Sequence, residues 1–421
     1  MTRPRGPLAL LLGRIGGVAG ALVLGQLLLG VTYVVGARAV APATLGLVAT
    51  CAAIGQVGAP VVDGGLTEHT VREAAAGRTG HDEARALVRT KRRLALPLLL
   101  AVGVVSGLLL APSTPAGLLL AVVGPAVWEA QTAYGLLRAQ ERFSAASTGQ
   151  VAGRGAGLVV VSVLVPLGAG ELALAAAIPA SFLVEALLDR LRLGSHAGRR
   201  SEVRDLLARQ RDAVGYGLAA LAASAQQLDT PMVALGAGAG PAGLYAGGGR
   251  LIGPLTFLAN SLGLVAAPWL ARAGADASRL AAEERRILRI GPVMAVVPLA
   301  VALVGPPLVP VLLGDDYAGS GSVLAVLALG AAVVTVNQPL AIVAQNRGRQ
   351  RPVARAIAVG LAVGLLATLG LAAIGGAVAA AFGYLASQLV IFTQLLVIAR
   401  VARRLPPRTS VRDDGGRAGG G

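Results

Sequence analysis

From Ile15 to Ala399 one pattern recurs: an apolar run close to a membrane-spanning length, then a short polar or glycine-rich break. About 20 apolar residues cross the hydrocarbon core of a bilayer as a helix, so the pattern predicts about twelve transmembrane helices. The first six fall at 15–36, 43–64, 94–111, 116–137, 147–168 and 171–189. The second six fall at 213–236, 241–271, 291–313, 321–345, 356–374 and 376–399. Glycine and proline within the runs do not exclude helix, because neighbouring helices satisfy the freed backbone groups. The first run continues to Val35 without a cleavage site, which predicts an uncleaved helix rather than a secretory signal.

The polar segments add a second layer. SEVRDLLARQRD at 201–212, DEARALVRTKRR at 82–93 and SRLAAEERRILRI at 278–290 carry narrow apolar stripes beside basic faces. Such segments are expected to lie along anionic lipid headgroups. PATLGL begins at Pro42 and PAGLYA at Pro241, 199 residues later, each after the first span of its half. The duplication predicts two six-helix lobes, 1–200 and 213–405, joined by a basic cytoplasmic helix or linker at 201–212. The tail at 406–421, rich in Gly, Arg and Asp, has the composition of a disordered cytoplasmic segment.

Composition narrows the class. Hydrophobic residues make up 55% of the 421 and charged residues 14%, against about 25% charged in soluble proteins. The formal charge is +16, which in a soluble chain would suggest nucleic acid. Here every basic residue except Arg38, Arg154 and Arg250 falls on alternate polar segments once the N-terminus is set in the cytoplasm. That is the positive-inside asymmetry. It predicts a multi-pass protein of the cytoplasmic membrane with both termini cytoplasmic, and no nucleic-acid partner. Cys51 is the single cysteine, so no intrachain disulfide forms.

Much chemistry is excluded. A nucleotide-binding P-loop needs a lysine after its glycines, and the only lysine, Lys91, sits in LVRTKRR. His69, His81 and His196 lack metal-ligand spacing. A membrane glycosyltransferase or polymerase needs carboxylates at an external catalytic surface, and the segment from Ala37 to Ala43 has none. Asp315 and Asp316 share a seven-residue turn, GDDYAGS, and are expected to cap it in water. The chain is therefore expected to be no enzyme, with no catalytic residue, metal site or cofactor.

The charges left within spans then stand out. An ionisable residue inside a membrane marks a functional site by default. Asp229 and Arg250 lie on consecutive runs, roughly 10 Å and 14 Å below the outer ends at 1.5 Å per residue. Their matched depth predicts a salt bridge or a shared ligand, with Asp229 taking a proton or sodium ion and releasing Arg250. Glu129 and Arg154 lie roughly 12 Å and 10 Å from the inner face and form a candidate second buried pair, serving as lobe brace or functional couple. Glu129 is also a candidate for ion coupling. Gln26, Gln56, Gln226, Gln227, Asn260, Asn337, Gln338 and Gln388 supply amides for the lining or for bonds between helices.

Four stretches carry a family likeness: RIGGVAGALVLGQLLLGVTYVVGARAVAPATLG, LDTPMVALGAGAGPAGLYAGGGRLIGPL, LLGDDYAGSGSVLAVLALG and VNQPLAIVAQNRGRQRP. The chain resembles the bacterial polysaccharide (O-antigen or exopolysaccharide) repeat-unit flippases of the multidrug/oligosaccharidyl-lipid/polysaccharide exporter superfamily. The resemblance implies an all-α fold of two pseudo-symmetric lobes around a central cavity lined mainly by the first two helices of each. Those helices carry Arg14, Gln26, Arg38, Asp229, Arg250 and Asn260, with Tyr33, Tyr216, Tyr245 and Phe257 as surfaces for sugars. It implies translocation of undecaprenyl-diphosphate-linked oligosaccharide by alternating access. The implied partners are that lipid, anionic membrane lipids at the basic loops, and a polymerase and glycosyltransferases. A multidrug cation antiporter using Asp229, Glu129 or Asp63, and a peptidoglycan-precursor flippase, remain alternatives.

Overall fold

The structure is a computed structural model describing residues 7–110, 115–194, 201–273 and 277–404. Side chains are described from Gly20 onward, except at 22, 115, 219, 257, 258, 260, 261, 263–265, 267–269, 271–277 and 402–404. The described residues form helices and turns, with no strand among them.

The first half comprises α1 (Pro7–Ala37), α2 (Pro42–Asp63), α3 (Leu66–Ala75), α4 (His81–Leu110), α5 (Pro115–Ala121), α6 (Val123–Ala139), α7 (Phe143–Leu164) and α8 (Gly170–Leu193). The second comprises α9 (Val203–Ser224), α10 (Asp229–Ala237), α11 (Ala239–Ala273), α12 (Ala277–Val304), α13 (Val309–Leu313), α14 (Ser320–Asn346) and α15 (Gln350–Arg404). Each apolar run predicted from sequence lies on this helical framework. Seven helices are long and apolar enough to cross a membrane among the described residues, α2, α4, α8, α12, α14 and α15 included. α15 joins the last two runs through a kink at Gly375 and Gly376, where Gly376 takes φ 62°, ψ −146°. A side chain is strained there and glycine is not.

Two expectations change. The basic segments 82–93 and 278–290 are not separate surface helices but the first turns of α4 and α12. The segment 201–212 likewise continues without a break into the run that follows it, as α9. That run is interrupted further on, by a 3-10 turn at Ala225–Leu228 just before Asp229. Leucine, alanine and arginine continue a helix readily, so nothing in these sequences stops it at the membrane edge.

Lipid-facing surfaces are apolar side chains left exposed in regular rows. On α4 they are Leu94, Leu98, Val102, Val105 and Leu109, and on α12 Val293, Val296, Val297 and Leu303. Inside, α7 packs on α8 and α1, α14 on α11, α12 and α15, and α2 on α11, α4 and α6.

The two halves meet backbone to backbone at the end carrying Arg38 and the 314–320 turn, here termed the Arg38 end. The contact is made by the two repeat motifs themselves. A methyl group on Gly46 would collide with the Ala239 carbonyl, and one on Gly243 with the Pro42 carbonyl. Small residues of this kind let helix backbones touch within a membrane. Arg38 donates to the Val311 carbonyl (2.8 Å) and Tyr317 to the Val40 carbonyl (3.1 Å), both across the halves. At the opposite, basic end α9 is tied to the first half. Gln210 donates to the Gly64 carbonyl (2.8 Å) and accepts from Lys91 (2.8 Å), and Arg209 donates to Thr79 (2.8 Å) and pairs with Glu83.

Candidate functional site

A cavity of about 460 Å³ lies in the second half, enclosed by α10, α11, α14 and α15, with the 225–228 turn at its edge. That volume falls within the ~300–1,000 Å³ of small-molecule sites. Local sequence explains the space. Gly249 and Gly253 on α11 present no side chain, and a methyl on Gly253 would meet nothing within 4 Å. The irregular turn before α10 swings Gln226 and Gln227 onto the rim. Lining residues on α14 run from Leu327 to Gln345, about 27 Å at 1.5 Å per residue, so the cavity reaches that helix's last turn at the basic end.

Asp229 and Arg250 both line this cavity. No ion pair joins them among the described residues, so the predicted bridge gives way to separate partners. Asp229 accepts a hydrogen bond from the Tyr245 hydroxyl (3.3 Å). The Arg250 guanidinium lies over the Tyr33 ring, 4.2 Å from its centre. The expected release of Arg250 by protonation of Asp229 loses its basis, because Asp229 does not hold Arg250. Equal depth on two helices fixes height along the membrane normal and leaves the angular position around each axis open.

The remaining wall is rich in amides. Asn337 is buried and donates through its amide nitrogen to the Gln388 carbonyl (3.1 Å). Its side-chain oxygen is buried with no donor among the described residues. Gln338, Gln345, Thr230, Thr256 and Tyr384 complete the polar lining. Gln345, Thr230 and Tyr384 were not singled out by sequence reasoning. Tyr384, the sole tyrosine of the last run, was the available signal.

Several expected residues lie elsewhere. Arg38 is exposed at the Arg38 end, bonded to Val311, and does not line the cavity. Gln26 is half-buried on α1, also away from the cavity. The side chains of Arg14, Asn260 and Phe257 lie outside the described residues. Tyr245 lines the cavity, whereas Tyr216 stacks with Arg72 and His69 at the basic end. Of the first half, Ala53 alone among the described residues lines this cavity. At the Arg38 end the Gly46 and Gly243 contacts leave no room between α2 and α11.

Glu129 and Arg154 do not pair with each other. Glu129 binds Arg92 (2.6 Å) and Arg190. Arg154 faces Glu185 at 3.5 Å and lies over the Phe182 ring at 4.1 Å. Sequence reasoning missed Glu185, although it is the one carboxylate well inside the run 171–189. Asp63 accepts from the Trp128 indole (3.2 Å) and from Thr67 through backbone (3.0 Å) and hydroxyl (2.7 Å), so it caps α3.

A family model described as polysaccharide biosynthesis protein matches residues 35–322. No curated protein matches the chain by sequence. Among solved structures, the inward closed conformation of the lipid II flippase MurJ aligns with TM-score 0.69 and 11% identity, covering 90% of this chain and 86% of that one. An inward-facing multidrug resistance MATE transporter of the MOP superfamily aligns with TM-score 0.67 and 15% identity, covering 90% and 94%. The outward-facing form of a MATE transporter of the same superfamily gives 0.53 at 14% identity, covering 93% and 95%.

Proposed function

This chain belongs to the polysaccharide biosynthesis protein family, and from that premise we propose that it is a flippase for lipid-linked oligosaccharide, with undecaprenyl diphosphate as the carrier. One observation carries the reading: a single cavity presents the Arg250 guanidinium and a wall of amides and tyrosines. Guanidinium binds phosphate oxygens in pairs. Side-chain amides accept from sugar hydroxyls through oxygen and donate to them through N–H, and the polyprenyl tail stays in lipid. Alternating access is the mechanism that the geometry supports. The cavity extends to the basic end while the Arg38 end is shut by the repeat motifs. The positive-inside asymmetry sets the basic end in the cytoplasm, so cargo enters there and leaves after the Arg38 end parts.

Arg250 also supplies coupling. It reaches across the halves to Tyr33, so a diphosphate that draws it into the cavity weakens a contact holding the closed state. A ligand drives a conformational change only through such differential affinity. A polymerase and glycosyltransferases are the enzymes that consume and supply such a cargo.

The test is deletion of the gene followed by extraction of lipid-linked glycans. Accumulation of an oligosaccharide-diphosphate lipid in the inner leaflet is expected, reversed by the wild-type gene and not by Arg250→Ala. Unchanged glycan-lipid pools on deletion would end the proposal. Asp229 in the cavity favours one second reading, cation antiport. Normal glycan-lipid pools together with increased sensitivity to organic cations would select it.

A further inference from the structure

A second polar pocket lies in the first half at the basic end, far along the chain from the cavity. It encloses about 230 Å³ between α4, α6 and α8. Arg85, Arg89 and Arg92 enter from α4 at spacings of four and three residues, which places them on one helix face, and Arg190 enters from α8. Val88 and Leu136 give the pocket apolar sides. Glu129 is buried beneath and pairs with Arg92 and Arg190. Asp82 reaches Arg85 at 3.8 Å from an exposed position. Four guanidinium groups thus gather at one pocket, with Glu129 and Asp82 among their partners.

Height selects the ligand. The exposed apolar row on α4 begins at Leu94, five residues after Arg89 and roughly 7.5 Å along the axis. The headgroup layer is about 5–7 Å thick on each side of the hydrocarbon. The pocket therefore opens at the level of lipid phosphates, on a helix whose next turns face acyl chains. The duplicated half repeats the plan. Arg285 and Arg289 follow Arg85 and Arg89 by 200 residues and line a groove of about 490 Å³ on α12, directly before its own exposed apolar row.

We propose that the Arg85–Arg89–Arg92–Arg190 pocket binds the phosphate of an anionic phospholipid headgroup from the leaflet at the basic end. The bound phosphate bridges α4 and α8 through paired N–H donors, while the acyl chains lie along the Leu94–Leu109 row. Free phosphate shares this chemistry and lacks the chains.

The experiment uses the full chain purified with phosphatidylglycerol or phosphatidylcholine and counts retained lipids by native mass spectrometry. Wild type should hold phosphatidylglycerol in preference to phosphatidylcholine. The double variant Arg85→Gln/Arg89→Gln should retain it about thirtyfold more weakly, at ~1 kcal/mol for each basic residue removed. Arg85→Lys/Arg89→Lys should keep most of the preference, which separates lost charge from lost folding. Equal retention by wild type and the glutamine variant would overturn the site. Displacement of the lipid by excess inorganic phosphate, with equal thermal protection from phosphate alone, would overturn the lipid as its source.

Discussion

The two halves of the molecule treat their buried charges differently. In the first, each is met by an opposite charge or a cap: Arg154 by Glu185, Glu129 by Arg92 and Arg190, Asp63 by Trp128 and Thr67. In the second, Glu284 binds Arg347 (2.6 Å) in the same manner near the basic end. Asp229 and Arg250, by contrast, stand on a cavity wall and meet tyrosines rather than opposite charges among the described residues. A duplicated framework has thus diverged in the use of charge. One lobe spends its ionic groups on internal cohesion, and the other leaves two of them facing an open volume.

The largest test of that contrast is Arg154→Ala, which strands the buried Glu185. Breaking one side of a buried pair costs about 3–5 kcal/mol, so detergent-solubilised protein should unfold at markedly lower temperature, with Arg154→Met/Glu185→Leu recovering much of the loss. Normal stability with failed export would instead put ligand binding in the first half. Arg250→Ala should do the reverse. Export should fall tenfold or more, in line with ~1.5–3 kcal/mol for a charged hydrogen bond, while abundance and melting stay near wild type. Gly243→Val presses a branched side chain against the Pro42 backbone. At roughly 1–3 kcal/mol for overpacking, it should raise labelling of a cysteine placed at Tyr245 from the Arg38 end by about fivefold or more. The smallest effect is expected from Glu73→Gln. Arg78 donates to Glu73 (2.7 and 2.9 Å) and holds its carboxyl below the usual range. Its contribution is present at neutral pH and is lost only as pH falls through the lowered value, yet an exposed pair of this kind is worth little. Melting at pH 7 should not change measurably.

How much of this was legible depends on which dimension a residue pattern encodes. Run length and composition are one-dimensional, and they located the helices because the solvent around each is lipid. Even the Gly375–Gly376 kink sat between two predicted runs. Pairing is a matter of azimuth and neighbour choice, which sequence does not carry. Arg154 matched Glu129 in depth and still turned to Glu185, because α7 packs on α8 along its length. Asp229 and Arg250 reached one cavity because α10 and α11 are consecutive and in contact, yet each turned to a tyrosine. The repeat motif shows the same limit. The repeat at Pro42 and Pro241 was visible, but that its two copies meet backbone to backbone depends on how the lobes face each other.

α9 deserves a mechanical reading. It is a helix of 22 residues, about 33 Å long, and its first turns are pinned to the first half by Arg209 and Gln210. Its far end passes through one tight turn into Asp229. Between its pinned turns and Asp229, α9 is therefore a stiff lever rather than a slack tether. From Gln210 to Ser224 the arm is about 21 Å, so a tilt of about 5° about the pinned residues displaces the far end by about 2 Å. Any tilt of the first half would thereby move a carboxylate in the second, without a ligand touching the first.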